Sequence, residues 1–78
     1  MARKGNIVWQ VENTVTRLDA LDRPYEATQL YALRADGVLL ESLKTKREGE
    51  APHHYNWTIR TRKPKANVKE ILEAKGYK

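Results

Sequence analysis

A chain of 78 residues without cysteine excludes a disulfide-stapled scaffold and a Cys-based zinc site, and its length sets the scale of one small domain over 1–78. No apolar run approaches the ~18 residues of a membrane span, and the basic start Met1–Gly5 leads into no signal-peptide core, so a cytoplasmic chain with a flexible basic arm at 1–5 is expected. The net charge is +5, and residues 38–78 hold all of the excess, with ten Lys/Arg against five acids; this favours a polyanionic partner over ordinary solubility charge.

From Asn6 onward, Ile7, Val8, Val11, Val15 and Leu18 fall at spacings of three and four, which predicts one helical face with Asn6 as its N-cap. The β-branched content weakens that helix, and a break near Asn13-Thr14 would split it into two short ones, with Val15–Leu21 as the second. Both versions stay open. Asp22 suits the N-cap of a further helix with Pro24 in its first turn, running over 24–36 and stopped by Gly37 in a left-handed conformation. Ala27, Leu30, Tyr31 and Leu33 form its inner stripe. Arg23, Thr28, Gln29 and Arg34 are left to face outward. Thr and Gln can address base edges and Arg can address phosphate or guanine, although a solvated helix face would carry the same types.

Val38–Leu43 then reads as a strand, and Glu48-Gly-Glu-Ala-Pro52 as a turn. Tyr55, Trp57 and Ile59 alternate with Asn56, Thr58 and Arg60, the period of a half-buried return strand whose aromatic side faces the helices. Arg60, Arg62, Lys63 and Lys65 surround Pro64, which ends the strand. Val68, Ile71 and Leu72 predict a short amphipathic helix between a capping Asn67 and a terminating Gly76.

Three constellations carry chemical content. Lys44, Lys46 and Arg47, followed by Arg60, Arg62, Lys63, Lys65 and Lys69, would lie along a phosphate backbone and bind it without regard to sequence. His53-His54 would point to opposite faces of a strand, which disfavours a shared metal ion. Trp57 and Tyr31 read as core, whereas Trp9 fits either core or an exposed stacking or dimer surface. The chain has no Gly-rich phosphate loop, and Ser42, its single serine, has no spacing that unites it with a His and an acid, so neither an enzyme nor a cofactor or metal site is expected.

Leu33-Arg-Ala-Asp-Gly37, Val38-Leu-Leu40 and Tyr55-Asn-Trp57-Thr-Ile59 together resemble the winged helix-turn-helix superfamily over about half of the chain. Tyr31, Pro52 and Trp57 bear a fainter likeness to its Z-form nucleic-acid-binding branch, but Ala27 stands where that branch has Asn, and its specificity is not carried over. The resemblance implies an α+β winged-helix-like domain: N-terminal helices, a two-stranded wing and a short C-terminal helix. It also implies a DNA-binding regulator or accessory factor, of bacterial or phage type and compatible with a homodimer. Duplex DNA would be met by a recognition helix at 24–36 and a basic wing at 44–62. Thr28, Gln29 and Arg34 would reach bases or groove, and Lys44, Lys46, Arg47, Arg60, Arg62 and Lys63 phosphate. The alternatives are an adaptor or inhibitor that presents the basic hairpin to an acidic protein, and an RNA-binding module.

Overall fold

A computed structural model describes residues 6–78; the arm expected at 1–5 lies outside them. The described chain is a meander of five antiparallel strands followed by one short helix: β1 (Ile7–Leu18), β2 (Pro24–Arg34), β3 (Leu39–Arg47), β4 (His53–His54), β5 (Thr58–Thr61) and α1 (Val68–Ala74). The winged helix with N-terminal helices is therefore overturned. Both segments expected to be helical, 6–21 and 24–36, form a long hairpin in which Val11 faces Tyr31 and Val15 faces Ala27. β2 is the central strand, paired on its other side with β3 from Tyr25↔Arg47 to Leu33↔Leu39. The far edge of β3 is covered in two pieces, by β4 at Lys44–Thr45 and by β5 at Leu39–Glu41.

The strands follow from their residues. β1 contains Ile7, Val8, Val11, Thr14, Val15 and Thr16, whose branched side chains fit a pleated surface better than a helix. β2 is covered on both faces, so Ala27, Thr28, Leu30 and Ala32 are all buried on alternating sides. Thr28 spends its hydroxyl on Thr14 across the strands, at 2.8 Å. Asp19 holds the β1–β2 turn, accepting the backbone N–H groups of Leu21 and Arg23, while Asp22 takes the left-handed φ of 59° inside that turn instead of capping a helix. Gly37 is left-handed as expected, at φ 87°, but it closes a three-residue hairpin loop: its N–H bonds to Arg34 O, and Arg34 N–H to Val38 O.

One sheet face carries Trp9, Val11, Tyr31, Leu33 and Leu39, and α1 lies over that end of it. Lys69 stands 5.6 Å above the Trp9 ring, and Tyr77 meets Tyr31 edge-on at 5.2 Å. The helix closes with a Schellman motif, in which Gly76 N–H bonds to Glu73 O and Tyr77 N–H to Leu72 O. The φ of 96° at Gly76 turns the chain back onto the sheet, and Lys78 then exchanges both backbone hydrogen bonds with Glu12 at the outer edge of β1. A Gly76→Val variant must hold a β-branched residue in that left-handed conformation, which costs about 1–2 kcal/mol. Its melting temperature is expected to fall, with faster hydrogen exchange at the Glu12 amide.

The core is thin. Val11, Ala27, Leu30, Ala32, Val38, Leu39, Leu40 and Leu72 are buried, but no large side chain among the described residues is completely enclosed. Two turn carboxylates add stability that depends on pH. The Arg34 guanidinium, donating two hydrogen bonds to Asp36, holds that carboxyl down to about 2. Asp19 is lowered chiefly by the backbone N–H of Arg23, and further by Leu21 N–H and the charges of Arg23 and Arg47. As pH falls from about 4, the unfolded chain takes up protons before these folded carboxyls do, so their contribution is complete above that point and lost toward pH 2. Thermal melts between neutral pH and pH 2 should show this decline, and Asp36→Asn should flatten its most acidic part.

Candidate nucleic-acid interface

The sheet disperses the residues that a recognition helix would have gathered. Thr28 and Gln29 are neighbours on β2 and point to opposite faces; Thr28 is buried against Thr14, and Gln29 is half-buried on the face shared with Asn13 and Leu43. Arg34 stands at the β2–β3 turn, bound to Asp36 at 2.7 Å. The helical reading is thus corrected on both counts, geometry and availability.

The wing cations divide in the same way. Arg47 donates to Asp19 at 2.7 Å, and its guanidinium rests 4.6 Å from the centre of the Tyr25 ring, so it ties the end of β3 to the β1–β2 turn. Lys44 and Lys46 project to the other face, where they share a shallow groove with Glu12 and Glu26. Glu26 is directly opposite Lys46 in the register, and Lys46 also donates to Glu50 O. These two lysines form no ion pair among the described residues, but carboxylates line the groove they occupy.

The uncompensated charge is elsewhere. Residues 60–78 contain seven Lys/Arg and two acids, which is the whole net charge of +5. Arg60, Arg62, Lys63, Lys65 and Lys69 are exposed, and among the described residues none of them forms an ion pair. The fold explains why Arg60 stands out. The register slips by one between Leu40↔Ile59 and Leu39↔Thr61, which leaves Arg60 as the extra residue of a β-bulge. Arg62 and Lys63 then occupy the bend after β5, where Lys63 N–H bonds to Thr61 Oγ1.

No family model, curated protein or solved structure matches the chain.

Directly before the cations come three large side chains that were expected in the core. Tyr55 is 49 % exposed, Trp57 37 % and Ile59 43 %. The single return strand expected here is broken into β4 and β5 with 55–57 between them, and the helices that were to cover it do not exist. The segment is fixed all the same: Tyr55 N–H bonds to Leu43 O, and the Ser42 hydroxyl donates to Tyr55 O at 2.7 Å. Trp57 lines a shallow hollow with Gln10, Leu30, Ser42, His54 and Tyr55. His53 packs edge-on against Tyr55 at 4.4 Å, and no group of three metal-ligating side chains occurs among the described residues. No helix of the described residues is long and apolar enough to cross a membrane.

Proposed function

We propose that this chain binds nucleic acid in single-stranded form, through the strip from Tyr55 to Lys69. The observation that carries the reading is the coincidence of two properties along one stretch of the chain. The unpaired cations Arg60, Arg62, Lys63, Lys65 and Lys69 hold the charge excess, and the exposed rings of Tyr55 and Trp57 immediately precede them. Cations neutralise phosphates and release counterions, which gives affinity without sequence preference. Exposed aromatic rings add base stacking, which requires bases that are not already stacked in a duplex. A recognition helix has no counterpart in the described fold, so base reading in a major groove forms no part of the proposal.

Titration of a labelled single-stranded oligonucleotide, by anisotropy at several salt concentrations, tests this directly. Five phosphate contacts predict a slope of about −3.5 in log affinity against log salt, near −0.7 per contact. Trp57→Ala is expected to weaken single-strand binding by about 1–3 kcal/mol while leaving the salt slope unchanged. Equal affinity for duplex and single strand, together with no effect of Trp57→Ala, would remove the stacking half of the reading. Absence of salt-dependent binding to either form would remove all of it.

A further inference from the structure

The two edges of the sheet are finished differently. On the far side, β4 and β5 cover β3. On the near side, β1 is protected at one end by the register irregularity between Ile7 and Trp9, and at Glu12 by Lys78. The rest of β1 is bare. Glu12 turns its N–H and C=O outward to Lys78, while Asp19 N–H turns inward to Arg23 O. Backbone polarity alternates along an antiparallel strand, so Thr14, Thr16 and Leu18 also direct their N–H and C=O groups outward. None of these backbone groups has a partner among the described residues.

Such an edge is normally blunted by Pro, Lys, a bulge or a covering segment. Thr14–Leu18 has none of these. It is a β-branched run with one charge, Arg17, and its apolar members Val15 and Leu18 are 42 % and 63 % exposed.

We infer that the β1 edge is the contact between two copies of this chain, paired antiparallel about a two-fold axis through Thr16. The edge is complementary to itself in that register. Thr16 meets Thr16 of the second copy, and Thr14 meets Leu18, so six backbone hydrogen bonds form. On one face Val15 lies opposite Arg17, which covers the valine with the arginine methylenes and sets no like charges against each other. Arg60 lies in β5 and Arg62 and Lys63 follow it, at the opposite edge of the sheet, so pairing through β1 keeps the two cation strips apart. The contact is independent of the nucleic-acid proposal and leaves the Tyr55–Lys69 strip of each copy free.

Sedimentation of the full chain at submillimolar concentration should reveal a dimer that dissociates on dilution. Thr16→Pro removes an outward N–H without touching the β1–β2 ladder, so it is expected to give a monomer with an unchanged circular dichroism spectrum. Thr16→Cys supplies the second measurement, in a chain that otherwise lacks cysteine. Hydrogen-bonded antiparallel partners lie about 5.5 Å apart at Cα, within disulfide range, so mild oxidation should link two copies much faster than it links a Leu21→Cys control. A monomeric parent chain, a Thr16→Pro dimer with native spectrum, or equal cross-linking at the two cysteine positions would each overturn the inference.

Discussion

Replacing Leu30 with alanine is expected to remove most of the stability of this protein. Leu30 is 3 % exposed and sits on the central strand, with Glu12 and Ser42 as its cross-strand neighbours. Backbone pairing on both sides of β2 prevents the strands from collapsing into the space that a shortened side chain leaves. Leu→Ala changes at such sites cost about 2–5 kcal/mol, and more when the surroundings cannot relax. A domain of this size has little to lose, since small folds lie near the lower end of the 5–15 kcal/mol range, at about 5 kcal/mol. Urea denaturation should show the midpoint moving close to zero denaturant. Leu18→Ala is the control, because Leu18 is 63 % exposed and should change stability by about 0.5 kcal/mol or less. A Leu30→Ala loss below about 1 kcal/mol would mean that the buried side of β2 is not the centre of the fold.

The second large effect concerns binding. Changing Arg60, Arg62 and Lys63 together to alanine removes three of the five unpaired cations of the strip without breaking an ion pair. The salt slope for a single strand is expected to fall by about 2, at near 0.7 per phosphate contact. Affinity near 50 mM salt should drop by more than tenfold, since hydrogen bonds to charged groups contribute about 1.5–3 kcal/mol each. The matched control is Lys44→Ala with Lys46→Ala. These cations share their groove with Glu12 and Glu26, so their loss should change affinity little. If the Lys44/Lys46 variant proved the weaker binder, the contact would centre on the groove of these two lysines, and the charge argument for the Tyr55–Lys69 strip would fail.

The sequence misled most at β2, and the physical reason is specific. Glu26, Ala27, Gln29, Leu30, Ala32, Leu33 and Arg34 are good helix formers, and their apolar members recur at helical spacing. Burial on both faces explains the strand: a central strand needs no alternation, and small residues such as Ala27 and Ala32 let neighbouring side chains close over it. That information is non-local and absent from the segment itself. β1 was more readable, because half of its residues are branched at Cβ, and the helical spacing of its valines was the weaker signal. Gly37 was correctly legible as a left-handed residue, but the same φ ends a helix or closes a hairpin, and only the neighbouring pairing decides between them. The turn at 48–52 and the short helix at Val68–Ala74 lie where local residue types put them. For the interface, the basic half of the chain was visible, whereas the split between compensated and free cations was not. It depends on the register that sets Glu26 opposite Lys46, on the groove that Lys44 shares with Glu12 and Glu26, and on the turn that brings Asp19 to Arg47.

The two tryptophans of the chain sit in unlike surroundings. Trp9 lies half-covered beneath Lys69 at the docked helix, and Trp57 stands on the exposed strip beside Tyr55. Their fluorescence therefore reports on different events. In Trp57→Phe the remaining emission comes from Trp9 and follows the release of α1 from the sheet on unfolding. In Trp9→Phe it comes from Trp57, whose quenching by a stacked base would follow the ligand. The protein thus carries separate optical reporters for its folding and for the proposed binding, with no label added.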